Sequence, residues 1–200
     1  MIVEHLFYSM AIAIIVGMLY YRLTGRDHSW IIIICAWAPD LDDLEGLANP
    51  VLHHLGISFQ HGTFHNIAFM VIFGIAVAFL LLPFGIKFFD SLFFSLIGFG
   101  AHLFEDALVY KVGYKFFWPF SSEIFGLGLL PSMVNEKNYM TDFFRVANTE
   151  VLIIGMAFLL VAIIIRTYVE GPAWIRWYMP DSLYKKLLDK TKKERECKLS

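Results

Sequence analysis

Histidine and aspartate recur in this chain at spacings that suit metal ligation. His102 and Asp106 are four residues apart, so both side chains would project from one face of a helix. Asp40 and Asp42 alternate around a leucine directly after a proline. Each pattern taken alone is more often an ordinary helix end or turn. Seven residues in all are candidate metal ligands: His5, Asp40, Asp42, His61, His65, His102 and Asp106.

The composition is that of an integral membrane protein. Hydrophobic residues make up 58% of the 200 positions, phenylalanine alone occurs 20 times, and the mean hydropathy is +0.62. A soluble chain of this length would lack the interior volume to bury so much apolar surface. Cys35 lies in an apolar run and Cys197 in the charged tail, which supports neither a disulfide framework nor a CxxC site.

Five apolar segments predict an all-α, polytopic membrane bundle. A full crossing needs about 20 apolar residues. Four of the segments reach or approach that length, whereas the second stops short at Pro39. The third and fourth meet around Pro83 and Gly85, which predicts a helical hairpin. The segments are 6–23, 30–38, 67–89, 91–110 and 151–165.

Lysine and arginine are unevenly distributed between the two sides of this predicted bundle. Suppose that all five segments cross and that the N-terminus is outside. The inner side then holds twelve lysine and arginine residues, three of them before position 88 and nine from position 166 onward. The outer side holds the other four. Because positive charge favours the cytoplasmic side, we expect the N-terminus outside and the C-terminus in the cytoplasm. A second segment that failed to cross would change this parity.

The chain divides into a membrane-embedded domain, residues 1–170, and an interfacial segment with a basic tail, residues 171–200. Trp174, Trp177 and Tyr178 would lie at the headgroups. We find no nucleic-acid-binding module, and a solvated cytoplasmic tail is the simplest interpretation of the basic residues. Membrane lipids are therefore the expected partners.

On this topology all seven candidate ligands fall at one membrane face. Ionisable groups at membrane depth are costly and usually mark a functional site, and a divalent cation would neutralise the carboxylates. Imidazole with carboxylate suits Zn first, with Mn, Fe or Ni as alternatives. Seven ligands exceed one tetrahedral site, so two or three ions sharing carboxylates are plausible. Glu105 is either an outer partner of the site or a polar helix end, and His53 and His54 are interpreted as loop residues.

The order of these motifs resembles that of the YdjM-like inner-membrane metal-dependent hydrolases. That family has an early histidine, a Pro-Asp-x-Asp block, a His-Arg-Gly-x-Thr-His stretch, His-x-x-x-Asp, and Gly…Trp-Pro-Phe. This chain has His5, Pro39-Asp40-Leu41-Asp42, His61-Gly62-Thr63-Phe64-His65, His102-Leu103-Phe104-Glu105-Asp106, and Gly113…Trp118-Pro119-Phe120. It departs from the pattern where Gly62 follows His61 directly and where Asn66 replaces the usual serine. The match covers about residues 1–130.

The resemblance implies a metal-dependent hydrolase, and the family is distantly similar to zinc-dependent phospholipases C and single-strand nucleases. Asp40 or Asp42, His61 or His65, His102 and Asp106 would then bind metal, and Asp42 or Asp40 would also act catalytically by orienting a water. We expect a phosphoester of a lipid or lipid-linked head group as substrate. Three further residues are candidates for substrate binding or entry: Lys111, Lys115 and Trp118.

Two other functions compete with hydrolysis of a phosphoester. One is a non-catalytic metal-binding membrane protein, with either a structural site or a transport pathway. A transporter would need ligands along a path across the membrane, whereas these ligands lie at one face. The other is hydrolysis of an ester or amide. The chain contains no Gly-x-Ser-x-Gly and no HExxH, so metal-activated water is the hydrolytic apparatus we identify.

Overall fold

The computed structural model is all-helical apart from one isolated bridge between Tyr114 and Phe125. It describes residues 2–44, 54, 62–109, 113–129, 149–179 and 183–185. The α-helices are α1 (Ile2–Thr24), α2 (Trp30–Cys35), α3 (Ile67–Leu81), α4 (Phe88–Val109) and α5 (Thr149–Glu170). Short 3-10 helices follow α2, α3 and α5, at Pro39–Leu44, Leu82–Phe84 and Pro172–Tyr178.

Within these residues, four helices are long and apolar enough to cross a membrane, not five. They are His5–Thr24, Ile67–Phe84, Phe88–Val109 and Val151–Glu170. The predicted second crossing is wrong, because its helix α2 has only 6 residues. At 1.5 Å per residue such a helix is about 9 Å long, far less than the hydrocarbon thickness of a bilayer. A turn after Cys35 and the 3-10 helix that begins at Pro39 end it.

Side-chain contacts give the direction of each helix. Tyr8 of α1 meets Phe158 of α5, and Ile14, further along α1, accepts a hydrogen bond from Arg166, further along α5, so these two helices run in the same direction. In contrast, Tyr20 near the end of α1 donates a hydrogen bond to Asp90 at the start of α4. Helix α3 also runs against α4, since Phe79 near its end meets Phe88. Three long helices therefore point one way and α4 points the other.

The short helix α2 runs parallel to α4 and is packed against it. Ile31, Ile32 and Cys35 are buried. Ile32 lies beside Gly98, where an added Cβ would come within 2.5 Å of the Ile32 carbonyl oxygen and 3.1 Å of Cys35 Cβ. The backbones of the two helices therefore touch because position 98 has no side chain. Through α2 and the residues after it, the chain returns to the end of the bundle where α1 began.

The hairpin between α3 and α4 is confirmed. Helix α3 ends in a 3-10 turn that contains Pro83, and Gly85 has a φ of 78°, the left-handed conformation that favours glycine. Asp90 lies in the first turn of α4, where it accepts hydrogen bonds from Arg26 and Tyr20.

A buried polar network joins α1, α5 and the 3-10 helix Pro172–Tyr178. Its centre is Arg166, which is 0% exposed and donates a hydrogen bond of 2.6 Å to Asp27 Oδ2. Arg166 also donates to the Ile14 carbonyl and to the Tyr178 hydroxyl, and its guanidinium lies 5.2 Å from the centre of the Trp174 ring. We call Asp27, Arg166 and Tyr178 the Arg166 network.

Two of the three aromatic residues that are predicted to lie at the headgroups pack against the rest of the protein. Trp174 is 7% exposed and belongs to a core cluster with Ala11 and Ile14 of α1 and Ala162 of α5. Tyr178 hydrogen-bonds to the Ala13 carbonyl. The glycine and proline that end α5 turn this segment back against the bundle, so its aromatic side chains find apolar surface in the protein.

Candidate metal centre

Four side chains converge at the end of the bundle where α1 begins. We call Asp40, His65, His102 and Asp106 the donor cluster. His102 Nε2 lies 3.5 Å from Asp40 Oδ1 and 3.4 Å from Asp106 Oδ2. His65 Nε2 lies 3.6 Å from the same Asp40 oxygen and 3.4 Å from the same Asp106 oxygen. Four donor atoms from three stretches of chain therefore face one another: Asp40 follows α2, His65 precedes α3, and His102 and Asp106 lie on α4.

The spacing of these atoms fits one tetrahedral ion. Zinc binds histidine nitrogen and carboxylate oxygen at about 2.0–2.2 Å, which places neighbouring ligand atoms of a tetrahedron about 3.3–3.6 Å apart. The four measured separations are 3.4–3.6 Å. A hydrogen bond between any two of these groups would be shorter. The imidazole nitrogens and carboxylate oxygens are thus separated by the distance expected for ligands of one ion, which is longer than a hydrogen bond between them.

His102 presents a single nitrogen to the cluster. Its Nδ1 donates to the carbonyl oxygen of Ala36 at 2.7 Å, which leaves Nε2 as the ligand atom. The side chain is 0% exposed, and within the described residues Nε2 has no hydrogen-bond partner. Buried polar atoms are normally satisfied, and metal-binding histidines commonly donate their other nitrogen to a carbonyl. Both observations fit a metal ligand.

His5 stands beside the donor cluster and is oriented by Glu105. His5 Nδ1 and Glu105 Oε2 are 2.9 Å apart, and the His5 ring stacks on His102 with 3.9 Å between centroids. His5 Nε2 lies 3.6 Å from Asp106 Oδ1, the oxygen that faces away from His65 and His102. His5, Asp40 and His102 form a second group whose atoms are close enough to hold an ion. This group shares Asp40 and His102 with the donor cluster, so His5 is a further candidate ligand at the same end of the bundle.

Asp42 lies on the far side of His65 from the donor cluster. Asp42 Oδ2 accepts a hydrogen bond of 3.0 Å from the Phe64 backbone N–H and lies 3.5 Å from His65 Nδ1. This arrangement directs His65 Nε2 toward Asp40 and Asp106. The structure thus puts Asp42 in contact with a ligand, whereas Asp40 itself faces the cluster.

The cluster is strongly coupled electrostatically. Burial by itself would lower the pKa of His65, but the carboxylates of Asp40 and Asp42 outweigh burial and raise that pKa to about 9. Burial would raise the pKa of Asp40, yet the imidazoles of His65 and His102 hold it below its usual range. Without metal the site therefore keeps charged carboxylates next to protonated imidazole, and an ion would have to displace a proton.

The turn before α3 positions His65. Gly62 has a φ of 89°, and a Cβ there would come within 2.8 Å of the Tyr114 ring, so glycine is required for both reasons. Asn66 caps α3: its side chain accepts a hydrogen bond from the Phe69 backbone N–H at 2.9 Å. Asn66 stands where the family usually has serine, and asparagine caps a helix as well as serine does.

The segment 113–129 covers His65. The Tyr114 ring stacks on the His65 ring with 4.2 Å between centroids. The carbonyl oxygen of Phe116, a buried residue, accepts the first backbone N–H of α3, that of Ile67. The sequence does not predict the contact of Tyr114 with the candidate ligand His65, since a stacking partner leaves no spacing signal.

The remaining predicted residues are less closely tied to the cluster. Lys115 and Trp118 are exposed and are not among the grouped donors. His54 is exposed. His61 and Lys111 lie outside the described residues, so their predicted roles have no structural counterpart here. Glu105, which the sequence left open between two roles, is a partner of His5.

Fold and site together define a membrane protein of four candidate spans with buried groups of histidine and aspartate that can hold a metal ion. The chain belongs to the YdjM inner membrane protein family, whose model matches residues 1–173. The resemblance deduced from the motif order is thus confirmed, over a longer stretch than those motifs covered. Searches of curated proteins and of solved structures return no match.

Proposed function

We propose that this protein is a membrane-bound, metal-dependent hydrolase that cleaves a phosphoester in a lipid or lipid-linked substrate. One observation carries the proposal: two imidazole nitrogens, each 3.4–3.6 Å from two carboxylate oxygens, lie at one end of the bundle on largely buried side chains. Such a site is costly to maintain in a membrane protein unless it is used. The surrounding spans bring it within reach of lipid head groups.

Zinc is the ion that this donor set favours, with Mn, Fe or Ni as alternatives. Two imidazoles and two carboxylates at tetrahedral spacing are typical of zinc. A bound divalent ion would supply Lewis-acid activation of water and would stabilise charge on phosphoryl oxygens. A second ion would use His5 and the outward oxygen of Asp106.

Asp40 and Asp42 have different roles in this proposal. The side chain of Asp40 is 12% exposed, more than the His65, His102 and Asp106 side chains, so substrate and water approach from its side. Asp40 is therefore our candidate for orienting the attacking water. Asp42 acts through His65, which it holds in place. This assignment narrows the pair of catalytic candidates to Asp40 and gives Asp42 a positioning role.

The head group of the substrate would meet the segment after α4. Lys115 and Trp118 remain candidates for contacts with a phosphate or with the interface, since both lie on the segment after α4, on the side of the donor cluster. Lys111 remains a candidate by its place in the sequence alone. Because the chain returns through α2 to the end of the bundle where α1 began, lysine and arginine keep the same distribution between the two ends, and their bias favours the outside for the end with the donor cluster. A lipid could then reach the site laterally from the outer leaflet.

A structural metal site is the second candidate. Four protein donors can fill a tetrahedral ion and leave no open position, which is typical of structural zinc. Transport has less support, because two buried carboxylates at the opposite end of the bundle are already paired with arginines: Asp27 with Arg166, and Asp90 with Arg26. Enzyme and structural site differ in one measurable property, which is whether the ion is needed for turnover or only for stability.

The metal content of the purified protein tests the site. We expect the parent protein in detergent to carry a transition metal by elemental analysis, and His102→Ala and Asp106→Ala to lose most of it. His28→Ala is the matched control, since this partly buried histidine lies after α1 at the opposite end of the bundle. Unchanged metal content in both donor variants would exclude the assignment.

A substrate screen separates the enzyme from the structural site. Phosphodiester and phosphomonoester lipids are offered to the metal-loaded protein with and without a chelator. We expect release of a product that stops with chelation and is absent in His102→Ala. Chelation that lowers thermal stability, with no turnover of any phosphoester lipid by the loaded protein, would favour the structural site instead.

A further inference from the structure

An apolar seam leads from the candidate metal centre into the membrane. A cavity of about 290 Å³ lies between α1, α4 and α5, next to Glu105. A second cavity of about 340 Å³ follows between α1 and α5. Tyr8 and Phe158 line both cavities. Together the two cavities form what we call the α1–α5 seam.

One face of α5 lines the seam over its whole length. Val151, Gly155, Phe158, Ala162 and Ile165 follow one another at intervals of three or four residues, which places them on one side of the helix. From Val151 to Ile165 the helix rises about 21 Å. One leaflet of a bilayer has a hydrocarbon depth of about 15 Å. The seam is thus long enough to accompany one lipid chain through its leaflet.

The α1–α5 seam is lined by apolar side chains except at the end nearest the donor cluster. Among the residues that line the two cavities, Glu105 alone carries a charge, and the others are apolar apart from the tyrosine Tyr8. Glu105 contacts His5, and His5 Nε2 is 3.6 Å from Asp106 of the donor cluster. The apolar part of the seam lies on candidate spans. A ligand that fits has a hydrocarbon tail and a polar group at the Glu105 end.

We infer that the α1–α5 seam binds an acyl chain of a membrane phospholipid, with the head group directed past Glu105 toward the donor cluster. This inference adds a lipid-binding site to the proposed function and rests on that function for the chemistry at the head group. Binding of the chain itself requires only the apolar lining and the bilayer setting. It should therefore persist when the metal is absent.

Photocrosslinking with labelled lipids tests the inference. The protein is reconstituted in bilayer discs with phosphatidylglycerol that carries a diazirine either in the middle or at the end of one acyl chain. After illumination, crosslinked residues are located by peptide mass spectrometry. We expect the mid-chain label to react near Phe158 and the terminal label near Ile165. Both yields should exceed those at Ile72 and Phe79, exposed residues of α3 that meet ordinary bilayer lipid.

Two variants of the same residue type give the control. Ile154 lines the seam, whereas Ile164 on the same helix is 57% exposed and lines neither cavity. Ile154→Trp should lose the enriched crosslinks at Phe158, and Ile164→Trp should keep them. Gly155→Leu, which fills the seam from its buried side, should act like Ile154→Trp.

The outcomes separate this inference from the proposed function. Equal crosslinking of α3 and α5 in the parent protein, or enrichment that survives both seam-filling variants, would overturn the acyl-chain site and leave the metal assignment untouched. Crosslinks that persist in chelated protein and in His102→Ala support the seam as a site in its own right. A parent protein that binds no metal but keeps the enriched crosslinks would contradict only the metal centre.

Discussion

The hydrogen bond between His5 and Glu105 joins the first turn of α1 to α4. Glu105→Gln removes the carboxylate that fixes the His5 ring, and changes to such partners typically lower metal affinity about 10–100-fold. We expect a loss of that size in competition titrations against a chelating dye, with metal still bound at saturation. Glu123→Gln is the control, since that side chain is exposed. Equal affinity in the two variants would show that His5 does not act on the ion.

At the scale of single residues, the sequence predicted which candidate donors come together better than it predicted what surrounds them. His5, Asp40, His102 and Asp106 were identifiable because ionisable side chains at membrane depth are rare. The partners that orient them are a backbone carbonyl at Ala36 and other groups that any residue type could supply. No pattern of residue types predicts such contacts, because they depend on how close two backbones approach.

The approach of α2 to α4 is the element-scale feature that positions His102. Gly98→Ala would place a methyl group 2.5 Å from the Ile32 carbonyl oxygen, so α2 must shift. Because the carbonyl of Ala36 orients His102, we expect lower metal content together with a loss of about 1–3 kcal/mol in stability. Elemental analysis and thermal unfolding in detergent measure the two effects.

Gly100→Ala is the matched control on the same helix. A Cβ at Gly100 meets only the Met70 sulfur, at the ordinary distance of 3.5 Å. Alanine is also the better helix former by about 1 kcal/mol. Gly100→Ala should therefore be neutral or stabilising and should keep its metal. Equal losses in the two variants would mean that the α2–α4 contact does not govern the site.

The elements themselves were predictable to different degrees. The four long helices follow from hydrophobic length, and the hairpin at Pro83 and Gly85 follows from turn chemistry. The second apolar segment was counted as a crossing, although its helix α2 is too short to span a membrane. An apolar run indicates that a segment is buried, but it does not indicate whether lipid or protein covers it. Its neighbours are α1 and α4, and only the packed structure shows this. The donors still meet at one end, since α2 runs parallel to α4.

At the scale of the whole molecule, the Arg166 network ties the last described helices to the first. Arg166→Met would leave Asp27 as a buried charge without its partner, and breaking such pairs typically costs about 3–5 kcal/mol. We expect a large fall in the thermal midpoint in detergent. Adding Asp27→Asn should restore part of it, because the uncompensated charge is then gone.

Arg176→Met provides the comparison for that prediction. Arg176 is exposed and lies over the Trp177 ring in the same 3-10 helix, so its loss should change the midpoint little. If Arg166→Met and Arg176→Met behaved alike, the network would contribute nothing measurable. If the double variant had no higher thermal midpoint than Arg166→Met alone, lost packing around the guanidinium would account for the fall in stability.

The brevity of α2 also has a consequence for biosynthesis. A helix of 6 residues is too short to be inserted into a bilayer as an independent span. Its buried face is completed by α4, which is translated more than fifty positions later. The residues around Asp40 therefore reach their final depth only after α4 has entered the membrane. Assembly of the donor cluster is thus a late event, and a nascent chain released before α4 would expose an unfinished site to the cell's quality control.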